Sequence, residues 1–380
     1  MIHVGVNLLW LVPGVVGGSE VYVSRLLEGL AERGPGDNLR VTVFALRSYA
    51  TTHPEVAAHF PVVSLGLSGR AKSLRVAAES TWLPRQVRHH GVDLVHHAGG
   101  TVPRRVPPPA LVTIHDLQPL LFPENFGPVK RRFSRVVVPR SVRAAELVLA
   151  PSDHTRRTIV ELLDVDRDRV RVVPHGVRTV DPATQADATT EQRLRERYRI
   201  EGPYFLYPAI TYPHKNHLVL VRAFARLVAA RSEPVTLVLA GGSARMEPEI
   251  TAAVRDAALG ERVRRVGRIP RSDLDALFDR AAGLVFPSRF EGFGIPVLEA
   301  MSRGCPVVVA EDTALPEVVG DAGILLPPDD PDAWTAAMGH LLDDPDDAAR
   351  LARAGRSRAA DFSWDRAAAA LADAYKSASP

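Results

Sequence analysis

Cysteine is nearly absent from this 380-residue chain: Cys305 is the only one. That excludes a disulfide framework and any cysteine-based zinc site. Nor is there a run of about 20 mostly apolar residues, so no membrane-spanning helix is expected. The opening Met1-Ile2-His3-Val4 has no basic segment ahead of an apolar stretch, so no secretory signal is expected and the predicted location is cytoplasmic. Neither G-x-G-x-x-G nor G-x-x-x-x-G-K-[ST] occurs, which argues against a dehydrogenase and a P-loop enzyme. Metal-ligand spacing of the H-x-x-x-H kind is missing as well, so no metal site is expected. Aromatic residues are only 6% of the chain, and no helix-turn-helix, zinc finger or aromatic RNA-binding strand is recognisable, which sets nucleic acid aside.

Apolar residues are plentiful. At 46% hydrophobic and 24% charged the composition is that of a globular protein, with length for two or three domains. The net charge of +3 is unevenly spread. Residues 66–143 carry 13 Lys and Arg against 4 Asp and Glu. A solvated basic surface explains this most simply; an anionic acceptor or peripheral contact with a membrane are the sharper readings.

Short β-branched runs alternate with helical patterns, which predicts parallel sheets. Strands are expected at Ile2–Leu9, Val41–Leu46, Asp93–His96, Ala110–Ile114, Leu147–Ala150 and Arg171–Val173. The pattern stops at 181–192, a small, polar stretch that reads as a linker. A second alternation then runs from Tyr204 to Leu326, followed by helical segments. The reading is two doubly wound units, 1–182 and 183–362, whose strand ends face a shared cleft. A last helix, expected to be capped by Ser363, has Trp364 as a packing anchor.

Four motifs carry chemistry. Gly17-Gly18-Ser19-Glu20 opens a helix, where glycines admit an anion, although paired glycines there most often make only a tight turn. His115 is expected at a strand end facing the cleft, with Asp116 beside it on the opposite face; His97 reads as structural. Lys215, in Tyr212-Pro213-His214-Lys215-Asn216, adds a cation to a helix start, a combination suited to a diphosphate. The strongest segment is Arg289-Phe290-Glu291-Gly292-Phe293-Gly294-Ile295-Pro296-Val297-Leu298-Glu299. Here Glu291 is expected in a glycine-rich turn and Glu299 about two helical turns on. The amides of Gly292, Phe293 and Gly294 read as free donors. A carboxylate pair also serves glycosidases, but one loop and one helical carboxylate suit hydroxyl binding better.

These residues resemble the retaining glycosyltransferases of family 4, which have the GT-B fold. The Glu291/Glu299 spacing matches the family's E-x7-E, preceded by Val285-Phe286-Pro287-Ser288 and followed by Ala300-Met301-Ser302-Arg303-Gly304-Cys305-Pro306. Pro174-His175-Gly176-Val177 and Pro151-Ser152-Asp153-His154-Thr155 match further family turns. The resemblance implies an α/β fold of two Rossmann-like domains, with the helix at 363–380 packing back on the first. It also implies transfer of a hexose, of mannose or glucose type, from a nucleotide-diphosphate sugar to a hydroxyl acceptor, by front-face displacement without metal or other cofactor. GDP-mannose is the preferred donor, and the acceptor is a saccharide, a lipid-linked molecule or a small molecule. Glu299 would hold the ribose, Glu291 the donor sugar and Lys215 the diphosphate. Gly292, Phe293, Gly294 and Ile295 would line the donor, and Arg268-Ile269 would frame the base. Gly17 and Gly18 would approach the phosphates, and His115 would contact the sugar.

Two positions depart from the family pattern. Ile210-Thr211 replaces the usual Gly-Arg before the lysine, removing one phosphate-binding arginine, for which His214, Arg289 or Arg245 could substitute. Arg178 stands where an aspartate is usual. A degenerate nucleotide-sugar-binding partner protein and a nucleotide-sugar epimerase are the alternative readings.

Overall fold

The computed structural model describes residues 1–15, 17–104, 109–180, 187–200 and 202–378. They divide into two compact units, one of Met1–Gly176 with Phe362–Pro380 and one of Val177–Asp361.

The first unit is built on a parallel sheet of order β3-β2-β1-β4-β5-β6-β7. Its strands are β1 (Ile2–Asn7), β2 (Leu39–Leu46), β3 (Val62–Leu65), β4 (Leu94–His97), β5 (Ala110–Thr113), β6 (Leu147–Ala150) and β7 (Val170–Val172). Between them run α1 (Gly18–Glu32), α2 (Arg47–Thr52), α3 (Pro54–His59), α4 (Lys72–His89), α5 (Gln118–Leu121), α6 (Pro128–Ala144) and α7 (Asp153–Leu163). The central strands are buried on both faces, as continuous apolar runs require. The unforeseen strand is β3, a half-buried edge strand of four residues behind Pro61, too short to stand out by periodicity. Ser152 caps α7 by accepting the Thr155 N–H at 3.0 Å, which explains the Pro151-Ser152-x-x-Thr155 pattern as helix initiation.

The second unit repeats the plan with order β10-β9-β8-β11-β12-β13. Its strands are β8 (Tyr204–Pro208), β9 (Thr236–Ala240), β10 (Val263–Gly267), β11 (Gly283–Phe286), β12 (Val307–Ala310) and β13 (Ile324–Leu326). The helices are α8 (Ala188–Tyr198), α9 (His217–Ala229), α10 (Glu247–Asp256), α11 (Arg271–Arg280), α12 (Ile295–Ser302), α13 (Leu315–Val319), α14 (Pro331–Asp343) and α15 (Pro345–Ala359). Part of the expected linker is helix instead. Residues 181–186 lie outside the described residues, but Asp187 accepts the Thr190 N–H at 2.7 Å and starts α8. An aspartate before Ala-Thr-Thr-Glu is a cap, and small polar composition hid it.

The last helix, α16 (Trp364–Ser377), is capped by Ser363 and belongs to the first unit. Ala367, Ala368, Leu371, Ala372 and Tyr375 join the core beneath α1. The Tyr375 hydroxyl lies 2.9 Å from His96 Nδ1 on β4, and Lys376 pairs with Asp37 at 2.8 Å. Trp364 is indeed an anchor: Gly176 sits so close that a Cβ there would meet the Trp364 backbone nitrogen at 2.5 Å.

Candidate active site

In an open parallel sheet, ligands bind beyond the strand carboxyl ends where the strand order reverses, because adjacent loops there run to opposite faces. In the second unit the reversal falls between β8 and β11. The loops leaving these strands carry Lys215 and Glu291. Lys215 closes a tight turn at Pro213–Lys215, and the buried Tyr207 hydroxyl donates to its carbonyl at 2.5 Å. Asn216 follows with φ 56°, a left-handed residue that starts α9. The Arg289 N–H donates to the His214 carbonyl at 2.8 Å, and the buried Ser288 hydroxyl faces the same carbonyl at 3.3 Å. The two loops are thereby stapled together.

Lys215 Nζ lies 2.5 Å from Glu291 Oε1, with the side chains only 17% and 13% exposed. The Phe286 ring lies under the ammonium at 5.6 Å. The Glu291 N–H is fixed by the Thr313 hydroxyl at 3.0 Å. A carboxylate that lends one oxygen to an ammonium keeps the other for a hydroxyl, and the ammonium keeps N–H bonds for phosphate oxygens.

Glu299 lies on α12, but just past its first turn rather than two turns in. Gly294 takes φ 108° and the helix begins only at Ile295. That φ requires glycine, and a Cβ would also meet Leu315 at 2.7 Å. Pro296 has no N–H and the Val297 N–H turns onto the Gly294 carbonyl, so neither adds a donor to the Gly292, Phe293 and Gly294 amides of the turn. Glu299 pairs with Arg271 at 2.5 Å, and Arg271 also holds Asp275 at 2.7 Å. Burial raises the Glu299 pKa, and the Arg271 guanidinium opposes that rise. Arg271 had no motif to announce it; its position at the first residue of the helix after β10 was the available signal.

Arg268 and Ile269 follow β10, and the Arg268 guanidinium lies over Gly242, where a Cβ would stand 3.1 Å from Nε. Thr211, at the departure from Gly-Arg, has taken up a structural task. Its hydroxyl accepts the Ala244 N–H at 2.6 Å and its carbonyl the Met246 N–H at 2.9 Å, tying the loop after β9 to the loop after β8. Of the three candidate substitutes for the lost arginine, the two arginines are already engaged and the histidine carries no charge. Burial lowers the His214 pKa to about 3, which keeps the ring neutral. Arg289 grips Asp329 through Nε at 2.8 Å, and Arg245 makes interactions of its own.

In the first unit the order reverses between β1 and β4. Gly17 caps α1 with φ 80° and ψ −131°, and a Cβ there would meet nothing within 4 Å, so its backbone, not crowding, calls for glycine. Glu20 of the same motif closes the loop, accepting the Gly14 N–H at 2.9 Å and touching His53 Nε2 at 3.0 Å. His115 and Asp116 do not alternate on a strand, because β5 ends at Thr113. Instead His115 Nε2 faces the Ala98 carbonyl at 3.0 Å, edge-on to Tyr22. A carbonyl only accepts, so Nε2 carries the proton and Nδ1 is the basic nitrogen. Burial lowers the His115 pKa, favouring this neutral form. Trp10 packs on Gly99, and its indole N–H is buried with no partner among the described residues.

His97 is only half satisfied. Its Nδ1 accepts from the Asn7 amide at 3.1 Å, and Asn7 also reaches Glu79 at 3.3 Å, while Nε2 is buried with no partner among the described residues. Asn7 and Glu79 were not singled out from sequence, since one sits inside an apolar strand and the other on a helix of mixed composition.

Comparison with known proteins identifies the family. A family profile described as "Glycosyltransferase Family 4" matches residues 16–181, and one described as "Glycosyl transferases group 1" matches 202–344. The O-antigen chain mannosyltransferase B of Escherichia coli is 32% identical over 268 residues, 70% of each chain. The D-inositol 3-phosphate glycosyltransferase of Xylanimonas cellulosilytica is 31% identical over 393 residues, spanning 96% of this chain and 93% of its own. Sucrose-phosphate synthase of Thermosynechococcus elongatus has the same fold, with a TM-score of 0.78 at 21% identity over 99% of each chain. So does Anabaena HepE, solved with UDP and glucose, with a TM-score of 0.75 at 20% identity over 99% of this chain and 100% of its own. The chain therefore belongs to glycosyltransferase family 4, with the two Rossmann-like domains of the GT-B fold, and is a glycosyltransferase.

Proposed function

We propose that the protein is a retaining hexosyltransferase that uses a nucleotide-diphosphate sugar, GDP-mannose first among them, and glycosylates a hydroxyl acceptor without a metal. The 2.5 Å pair of Lys215 and Glu291 at the β8/β11 reversal carries this reading. Lys215 would neutralise the leaving diphosphate, and Glu291 would hold the donor sugar's hydroxyls. Glu299 would accept from the ribose, steadied by Arg271. Gly292, Phe293, Gly294 and Ile295 would line the donor, Arg268 and Ile269 would frame the base, and Gly17 and Gly18 would meet the phosphates. His115, with Nδ1 basic, would accept from a hydroxyl of the transferred sugar.

Both glutamates are already engaged by cations, which suits binding better than nucleophilic attack. The acceptor oxygen would therefore attack the anomeric carbon from the face the phosphate leaves. The bond from that carbon to the phosphate oxygen breaks, and the acceptor proton passes to the departing phosphate. Among the described residues no group of three or more His, Cys, Asp and Glu could hold a metal, and Lys215 offers a cation in its stead. Two relatives that are mannosyltransferases by name support the mannose-type donor. The relative named for D-inositol 3-phosphate adds a phosphorylated small molecule to the acceptors worth testing. We place the reaction in the cytoplasm.

The test is product analysis with chelator present. Transfer should persist in EDTA and give a product of the donor's anomeric configuration by NMR. Lys215→Ala and Glu291→Ala should each lower kcat about 100-fold or more. Inverted product, or wild-type rates in both variants, would contradict the reading.

A further inference from the structure

Helices α4 and α6 leave between them an open groove of about 790 Å³ in the first unit. Its walls are mainly apolar, from Val76, Ala77, Val129 and Phe133. Val129 is 85% exposed, and Val76 and Phe133 are exposed as well. A cluster of this kind left open to water marks a contact surface.

Two cations stand at the groove. Lys72 Nζ lies 5.4 Å from the centre of the Phe133 ring, and Lys130 Nζ lies 4.2 Å from that of Phe126. Among the described residues neither ammonium has a carboxylate at ion-pair distance. Burial lowers the Lys130 pKa, Asp116 opposes this, and Lys72 adds to it, so the two ammoniums repel each other. Arg131, Arg132 and Arg135 extend the charge along the exposed side of α6. Both helices begin at the carboxyl edge of the sheet, the edge that also bears His115.

An apolar trough with two unneutralised ammoniums at its mouth is the complement of an amphiphile with an anionic head. We propose that this groove seats a hydrocarbon chain of a phosphate-bearing membrane lipid, with the phosphate between Lys72 and Lys130, and so docks the first unit on an anionic bilayer. The surface would present membrane-borne acceptors to the strand edge that carries His115.

The test is co-sedimentation of the full chain with vesicles of phosphatidylcholine, with or without phosphatidylglycerol. Binding is expected only with phosphatidylglycerol, and should fade as salt is raised. Lys72→Gln and Lys130→Gln should each weaken it about fivefold. Val129→Gln with Phe133→Ser should weaken it about tenfold at unchanged charge. Arg255→Gln, on the exposed surface of the second unit, should leave it unaltered. Failure of the wild type to bind, as would follow if an acidic protein segment fills the groove, overturns the proposal. So does indifference to the Val129/Phe133 variant. Nucleotide-dependent thermal shifts of the same variants report the donor site separately, so lipid docking can fail while the donor reading stands.

Discussion

Glu79 is a carboxyl group with little room for a charge. It is buried on α4, and one Asn7 N–H and the charge of Arg75 are too little to offset burial, which raises its pKa to about 7 from 4.5. A raised pKa means that the protonated form fits the fold. The stabilisation is complete below pH 4.5 and is lost as the pH rises through about 7. Glu79→Gln mimics the protonated acid. It should match the wild type in acid and exceed it above neutrality, by up to about 3 kcal/mol. Urea unfolding across this range checks it, and a difference that does not vary with pH would refute it. The comparison must be with the wild type, because the buried histidines act oppositely. His96 and His97, both held neutral at about 3, favour the fold above the ordinary imidazole pKa and lose that contribution as the pH falls. None of this was legible in the sequence, where Asn7 is one polar residue in an apolar run. Lys215 and Glu291 were legible because a lysine and a glutamate in glycine- and proline-rich turns have few structural reasons to be there. Their 2.5 Å pairing was not, since 76 residues separate them.

At the scale of elements, alternation of apolar runs and helical faces was enough to place nearly all strands to within a residue or two. What it missed has local causes: β3 is a short edge strand, and Asp187 starts a helix inside a polar stretch. The helix start at Ile295 depends on the left-handed Gly294, so Glu299 lies closer to the turn than spacing alone suggested. The attachment of α16 rests on two glycines. At Gly29 a Cβ would meet the Trp364 carbonyl oxygen at 2.9 Å, and at Gly176 it would meet backbone and ring atoms of Trp364 at 2.5–2.7 Å. Backbone cannot step aside as a flexible side chain can. Gly176→Ala should therefore cost about 1–3 kcal/mol and lower the Tm. Gly36→Ala, where a Cβ would meet nothing within 4 Å, is the control and should change stability by no more than about 0.5 kcal/mol. Equal Tm values for the two variants would show that Trp364 is not an anchor.

For the whole molecule, each doubly wound unit places its functional residues by one topological fact, the reversal of strand order. In the second unit that brings together the loops of Lys215 and Glu291; in the first it gathers Asn7, Gly17 and His97 on the β1 and β4 sides. Thermal unfolding of wild type, Lys215→Ala and Glu299→Ala, with UDP, GDP, dTDP and ADP in the presence of EDTA, tests the central claim most directly. At about 100 times its Kd, one nucleotide should stabilise the wild type by about 2.7 kcal/mol and both variants much less. No shift with any nucleotide, or the same shift in all three proteins, would contradict the assignment of the donor site to these residues.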